Sequence, residues 1–249
     1  MGFGVIVPSR PNYARTNLAN WKTPAEAADG LAALMEELKI DSYVLYAISG
    51  GGPLATTLAL RHPDKVKCLI LDSAITGGLK VEGTDEVQSS THAKLVGSPL
   101  MPRGMDAFYA KKPADFIVHF MAKASTHSTE EAKQIAGEIL ADPRRVSAAE
   151  GVLDVFVLPA LYPESHASWY NDMDNNQKQI PLEDIKVPTL VVHGTHDALV
   201  PLSHGQGTAA KIPGSQLIVV ENGWHLLTFH TDYMSLVSDP MRDFMKKHL

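Results

Sequence analysis

The stretch VLYAISGGGP, residues 44–53, is the most informative part of this 249-residue chain. Its first five residues are apolar and predict a buried strand, and the residues after Ser49 predict a sharp turn into a helix. Ala47 and Gly51 are small, as a close approach of the strand and helix backbones requires. Pro53 fits the first helical turn, where its missing N–H breaks no helical hydrogen bond. The stretch therefore predicts a serine hydroxyl raised above a sheet, and departs from G-x-S-x-G only by alanine in the first position.

A simpler interpretation is that Ser49 only caps a helix behind a glycine-rich turn. Two later segments favour the first interpretation. Residues 187–201, VPTLVVHGTHDALVP, predict a buried parallel strand with Asp197 just past its end. Residues 216–225, QLIVVENGWH, predict the next strand, with His225 on the following loop. Because the carboxyl ends of parallel strands gather at one edge of a sheet, Ser49, Asp197 and His225 are expected to converge.

The order serine, aspartate, histidine resembles that of the α/β-hydrolase-fold esterases and lipases. Residues 8–16, PSRPNYART, are similar to the segment after an early strand in that family, and residues 25–38 resemble the helix before the serine strand. The resemblance implies an α/β fold with a mostly parallel sheet flanked by helices. It further implies a core formed by residues 1–78 and 181–249, with a helical cap (lid) insertion at residues 79–180.

The resemblance also implies a mechanism. Ser49 attacks an acyl carbon, His225 accepts its proton, and Asp197 fixes the histidine tautomer. The Gly50 backbone N–H is the expected oxyanion donor. We therefore expect a serine hydrolase that acts on small-molecule carboxylic esters with small to medium apolar acyl groups, without a metal or an organic cofactor. Amide and carbon–carbon bonds stay open as alternatives.

Other residues could fill these positions. Asp72 follows another apolar run and rivals Asp197 as the acid, and two further histidines rival His225, namely His204 and His230. His193 and His196 have H-x-x-H spacing, which by itself indicates a metal only where further ligands join them. No such pattern of cysteines or carboxylates accompanies them, so we expect no metal site.

Composition narrows the possible partners and compartment. The formal net charge of −6 argues against nucleic-acid binding. With 45% hydrophobic and 20% charged residues, the composition indicates a globular chain that neither spans a membrane nor is disordered. Cys68 is the single cysteine and is expected to be a buried thiol. The first residues lack the features of a secretory signal, so the expected location is cytoplasmic.

The insertion carries helical patterns at residues 113–125, 128–140 and 148–158, with a helix cap predicted at residues 128–131. Its apolar residues are candidates either for its own core or for the walls of an acyl pocket. The pocket candidates on which we focus are Phe120, Trp169 and Trp224.

The N-terminal part departs from the family pattern. The family has two antiparallel strands and a further parallel strand with a His-Gly loop before the strand expected here at residues 5–7, and the chain begins after them. We expect residues 5–7 to lie beside the serine strand, which would bring Ser9 and Arg10 close enough to supply a second oxyanion donor. Alternatively, the exposed edge of the sheet pairs with a second copy of the chain and forms a homodimer. Since a lost donor weakens catalysis, a weakly active or inactive relative that binds a small apolar ligand is the alternative function.

Overall fold

A computed structural model describes residues 4–11, 13, 16, 21–79, 100–150 and 165–249. Its centre is a four-stranded sheet whose strands are parallel and neighbour one another in chain order. The strands are β1 (Tyr43–Ile48), β2 (Val66–Asp72), β3 (Thr189–Gly194) and β4 (Gln216–Val220). All carboxyl ends therefore lie at one edge of the sheet, and the expected parallel sheet flanked by helices is confirmed.

Helices flank this sheet and occupy the described parts of the insertion between β2 and β3. In chain order they are α1 (Pro24–Glu37), α2 (Gly52–Arg61), α3 (Leu100–Lys111), α4 (Pro113–Ala124), α5 (Thr129–Ala141), α6 (Ser165–Gln177), α7 (Leu202–Lys211) and α8 (Asp239–His248). Residues 143–150 are also helical. Short 3-10 helices lie at Ser49–Gly51, Leu182–Asp184 and Leu227–Phe229, and a π-helix lies at Met234–Ser238.

Two helix starts show how the local sequence fixes the elements. The Thr23 hydroxyl accepts a hydrogen bond from the Glu26 N–H, and the Glu26 carboxylate accepts one from the Thr23 N–H. This capping box satisfies backbone donors that α1 itself leaves unpaired. Ser128 and Glu131 make the same pair of bonds before α5. The cap predicted at residues 128–131 is thereby confirmed.

The two central strands, β2 and β3, are buried on both faces. Leu69 and Leu71 of β2 pack into a cluster with α1 and α2, and Cys68 and Ile70 pack into a second cluster with α8. Burial on both faces explains why β2 has an almost continuous apolar run rather than an alternating pattern. The sheet thus forms a rigid base for the loops at its carboxyl edge.

The segment between β2 and β3 packs together with the sheet-bearing part of the chain. Helices α4 and α5 bury a cluster that also includes Trp224 and Phe229 from the segment after β4. Main-chain contacts join the same two regions, because the Thr126 N–H donates to the His196 carbonyl at 3.0 Å and Ser125 forms an isolated antiparallel bridge with Asp197. The insertion therefore contacts the loop that carries the proposed catalytic acid.

The strand expected at residues 5–7 is not formed. These residues have no regular secondary structure, and Val5 and Val7 are 80% and 86% exposed. β-Branched residues favour a strand only where a neighbouring strand accepts their backbone hydrogen bonds, and no described residue does so here. The expected move of residues 5–7 to the side of β1 is wrong. Within the described residues β1 is an edge strand, and the homodimer stays a prediction.

Candidate active site

Ser49 lies at the turn between β1 and α2, at the carboxyl edge of the sheet. Its φ of +50° is in the left-handed region, which costs a serine about 1–3 kcal/mol and requires support from its surroundings. The Ile75 N–H supplies part of that support by donating to the Ser49 carbonyl oxygen at 2.9 Å. The 3-10 turn begins at Ser49 and continues into α2 at Gly52, so the positive end of a helix lies at the serine.

Gly52 is the position at which this turn admits no side chain. A Cβ at Gly52 would lie 1.7 Å from the Ile75 carbonyl oxygen, whereas a Cβ at Gly51 would lie 3.7 Å from the Ala47 Cβ. The second distance is an ordinary van der Waals contact. Gly51 does lie against Ala47, but the strict requirement for glycine is at position 52, which the sequence did not single out. The pattern around the serine missed this because the obstructing backbone follows β2.

Asp197 lies on the loop after β3, where the sequence places it. Its side chain is buried, and its Oδ1 accepts hydrogen bonds from the Leu199 N–H at 3.0 Å and the Val200 N–H at 2.9 Å. His193 donates from Nε2 to the Val200 carbonyl at 2.7 Å. The two bonds from backbone N–H groups compensate for the lost hydration of the carboxylate and fix its orientation.

His225 lies on the loop after β4, which is joined to the Asp197 loop by backbone contacts. The His196 N–H donates to the Gly223 carbonyl at 2.7 Å. A Cβ at Gly194 would lie 2.3 Å from that same carbonyl oxygen, so the close approach of the two loops requires a glycine there. The sequence predicts that Gly194 ends a strand, but it does not reveal that Gly223 lies next to it.

The three predicted catalytic side chains lie in one hydrogen-bonded chain. His225 Nε2 is 2.9 Å from Ser49 Oγ, and His225 Nδ1 is 2.9 Å from Asp197 Oδ2. With the Nδ1 proton donated to the carboxylate, Nε2 is left to accept the serine proton. This is the geometry needed by a serine activated by a histidine base.

Comparison with known proteins identifies the family. The model of the alpha/beta hydrolase fold family matches residues 1–230. The chain belongs to this family. The structure is also similar to the solved structure of an alpha/beta hydrolase fold protein from Nakamurella multipartita, with a TM-score of 0.83 and 29% sequence identity. The match covers 95% of this chain and 80% of that chain.

Curated relatives of this α/β hydrolase are hydrolases and esterases. It is 29% identical over 202 residues to a pimeloyl-[acyl-carrier protein] methyl ester esterase of Neisseria meningitidis serogroup B, covering 81% of this chain and 67% of that protein. It is 24% identical over 241 residues to a 2-hydroxy-6-oxo-2,4-heptadienoate hydrolase of Pseudomonas putida, covering 96% of this chain and 75% of that protein.

Asp72, the rival acid, makes no hydrogen bond to His225 in this hydrolase. It lies at the end of β2, beside Ile48 in the register, and its Oδ2 accepts the Tyr46 hydroxyl at 2.6 Å. Burial raises the pKa of Asp72 to about 6. The two rival histidines have other partners: His204 Nε2 accepts the Thr76 N–H, and His230 Nε2 donates to the Glu221 carbonyl.

The H-x-x-H pair does not converge on a common point. His193 is buried and donates to a carbonyl, whereas the His196 ring stacks on His127 with centroids 4.2 Å apart. No group of three or more metal-ligating side chains is present among the residues that the structure describes. In the structure His193 therefore donates a hydrogen bond to a loop carbonyl, and His196 packs against another histidine ring.

The three predicted pocket residues have different surroundings. Trp224 is 2% exposed; its ring stacks on Phe229 and contacts the edge of Phe120 at 5.9 Å between centroids. The expectation that Trp224 lines a pocket is corrected, because its ring has almost no free surface. Phe120 is partly buried on α4. Trp169 belongs to α6, but its side chain lies outside the described part of the structure.

Ser9 and Arg10 were expected near the oxyanion site as a second donor. Arg10 does reach the serine turn, but its Nη1 donates to the Gly50 carbonyl at 2.8 Å and pairs with Asp172 at 2.9 Å. The guanidinium therefore binds the carbonyl of Gly50, whereas the proposed oxyanion donor is the Gly50 N–H. The expectation that the Arg10 side chain itself donates to the oxyanion is corrected. The Ser9 carbonyl accepts the Thr16 hydroxyl at 2.9 Å.

Cys68 is buried in the sheet, and burial raises the pKa of its thiol to about 11. The thiolate is therefore scarce at neutral pH, which disfavours Cys68 as a nucleophile. In the described residues, no helix has the length and apolar character needed to cross a membrane.

Proposed function

We propose that this α/β hydrolase is a serine hydrolase that cleaves carboxylic esters of small to medium apolar acyl groups through an acyl-enzyme on Ser49. The observation that carries the proposal is the hydrogen-bonded chain from Ser49 through His225 to Asp197. The relative named as a methyl ester esterase supports a carboxylic ester as the bond that is cleaved.

In the proposed reaction, Ser49 Oγ attacks the acyl carbon while its proton passes to His225 Nε2. The Asp197 carboxylate, held by two backbone N–H groups, stabilises the imidazolium that forms. Collapse of the tetrahedral intermediate breaks the ester bond, and His225 returns the proton to the departing alkoxide. A water molecule then repeats the sequence on the acyl-enzyme and releases the acid.

The Gly50 N–H is the proposed donor to the tetrahedral oxyanion. It belongs to the first peptide after the serine and lies at the start of the turn that leads into α2. A preorganised donor of this kind is typically worth about 3–4 kcal/mol in the transition state.

The insertion at residues 79–180 is the proposed cap over this site and the proposed source of selectivity. It contributes Phe120 near the segment that carries His225, since Phe120 contacts Trp224. An apolar wall of this kind favours apolar acyl groups. The three proposed reacting side chains lie outside the insertion, so we assign it selectivity rather than chemistry.

The test is steady-state hydrolysis of p-nitrophenyl acetate and butyrate by four proteins. Ser49→Ala should lose nearly all turnover, and Asp197→Asn should lose about 10⁴-fold because the histidine tautomer is no longer fixed. Asp72→Asn is the matched control, because Tyr46 can still donate to an amide oxygen, and it should retain activity. Undiminished turnover in Asp197→Asn, or an equal loss in Asp72→Asn, would contradict the assignment.

If the wild type forms no product from any activated ester, the alternative of a ligand-binding relative gains support over an enzyme. The cytoplasmic location and the homodimer are also proposals, based on the sequence. Ile48 belongs to β1, which is an edge strand among the described residues; it is 42% exposed and is a candidate contact for a second copy.

A further inference from the structure

Two hydrogen bonds hold the carbonyl groups on either side of the Gly50 Cα. The Ser49 carbonyl accepts the Ile75 N–H at 2.9 Å, and the Gly50 carbonyl accepts Arg10 Nη1 at 2.8 Å. Glycine itself restrains φ and ψ only weakly. Because the two carbonyls lie on either side of Gly50, holding both of them limits rotation of the peptide that carries its N–H.

Arg10 is in turn held by the insertion. Its Nη1 lies 2.9 Å from Asp172 Oδ2 on α6, and the same carboxylate oxygen accepts the Tyr13 hydroxyl at 2.8 Å. The Arg10 guanidinium also lies 5.0 Å from the centre of the Tyr13 ring. Burial and the Asp172 charge raise the pKa of Tyr13, so its phenol stays protonated and continues to donate.

We propose that Arg10 is a positioning residue that aligns the Gly50 N–H with the tetrahedral oxyanion, and that Asp172 makes this alignment depend on the docking of α6. The inference rests on the proposed function of Ser49. It assigns to the α6 helix of the insertion a role in the alignment of the oxyanion donor, separate from any contact with substrate.

The expected effect falls on the transition state. The oxyanion forms only after attack, so a misaligned donor weakens the transition state more than the bound ester and lowers kcat more than it raises KM. A planar guanidinium can engage Gly50 and Asp172 together, whereas a lysine ammonium on a flexible stem is less well suited to this geometry. Arg10→Lys should therefore restore only part of the function.

The surroundings of Arg10 make chemical rescue feasible. A cavity of about 30 Å³ lies against Arg10, Gly50, Asp172 and Asn176. Among the described residues, neither polar atom of the buried Asn176 side-chain amide has a hydrogen-bond partner. Truncation of Arg10 would enlarge this polar cavity and leave the Asp172 carboxylate to attract a small planar cation.

The experiment compares wild type, Arg10→Met, Arg10→Lys, Asp172→Asn and the control Arg61→Met. Arg61 is the last residue of α2, at the opposite end of that helix from the serine, and pairs with Asp29 of α1. For acetyl ester hydrolysis we expect Arg10→Met to lower kcat by roughly 10–10²-fold with little change in KM, and Asp172→Asn to act in the same direction. Affinity for a boronic acid that mimics the tetrahedral intermediate should fall in parallel, while the control stays at wild type.

Two further measurements separate positioning from folding and from the proposed function. Added guanidinium should partly restore kcat to Arg10→Ala, whereas ethylammonium should not. Hydrogen exchange of the Gly50 amide should be faster in Arg10→Met than in Arg61→Met, whether or not the protein hydrolyses esters. Absence of turnover in the wild type would count against the proposed function alone. Unchanged kcat and boronate affinity in Arg10→Met of an active enzyme, or unchanged Gly50 exchange, would overturn the inference.

Discussion

At the scale of single residues, the serine turn depends on one glycine more than on any other. The backbone after β2 occupies the space that a Gly52 side chain would need. Gly52→Ala should therefore destabilise the protein by at least about 1–3 kcal/mol and displace the serine.

Gly51→Ala is the matched control for that prediction. Gly51 has a φ of −77°, which alanine adopts without strain, and its added Cβ would meet only an ordinary contact. Its free energy of unfolding should stay within about 1 kcal/mol of the wild type. Urea unfolding followed by circular dichroism measures both variants. Equal stability of the two variants would contradict the account of the turn.

The position of a residue can be predicted from the sequence when the residue directly follows a recognisable strand. Ser49, Asp197 and His225 each follow a short apolar run, so their common edge follows from parallel strands alone. The need for glycine at position 52 depends on Ile75, from another part of the chain. Such a contact has no local signal, and the sequence could not reveal it.

At the scale of elements, helices with clear hydrophobic periodicity and caps could be predicted, whereas a short apolar run without a neighbouring strand could not. Helices α4 and α5 begin and end within a residue or two of the ranges expected from their periodicity and caps. The third helix expected in the insertion is described only up to residue 150, where the chain is helical. The strand expected at residues 5–7 fails because strand formation needs a partner, which a local apolar run cannot supply.

The proposed role of the insertion gives a prediction for α4. Phe120→Ala should change the preference between acetyl and longer acyl esters more than it changes turnover of the acetyl ester, because its ring is a candidate pocket wall near Trp224. Phe108→Ala, which removes a ring that packs on Phe116 within the insertion, is the control and should leave the preference unchanged. Kinetics with a series of p-nitrophenyl esters measure both. Equal losses at every chain length in a folded Phe120→Ala protein would argue against this role.

At the scale of the whole molecule, one buried and two partly buried histidines should make stability depend on pH. The pKa values of His127, His193 and His204 are lowered chiefly by burial. Unfolded histidines titrate near pH 6.5, so below that pH the unfolded chain binds more protons than the folded one. The free energy of unfolding should therefore fall as the pH decreases from about 7.5 to about 5.5.

Asp72 should act in the opposite direction. Its raised pKa of about 6 means that the folded state holds a proton more tightly than the unfolded state, so its contribution to stability grows as the pH falls through 6. Asp72→Asn removes this contribution and should steepen the loss of stability at acidic pH. Urea unfolding at several pH values measures both proteins. Stability that rises in the wild type as the pH falls, or an identical pH dependence in Asp72→Asn, would be inconsistent with these assignments.

The family and its fold could be predicted from the order of Ser49, Asp197 and His225 and from the strands that precede them. The packing of the insertion is less predictable, because the cluster formed by α4 and α5 includes Trp224 and Phe229 from beyond β4. Sequence periodicity marks these residues as apolar but does not say which partners they meet. That is why the sequence suggested a pocket wall for Trp224 and the structure shows packing.

The central claim is that Ser49 becomes acylated. The most direct measurement is mass spectrometry of the protein quenched in acid during turnover of p-nitrophenyl butyrate, followed by mapping of the modified peptide. We expect a butyryl adduct on Ser49 that is absent in Ser49→Ala and accumulates more slowly in His225→Ala. Turnover with no adduct on Ser49 at any time, or an adduct on another residue that persists in Ser49→Ala, would contradict it.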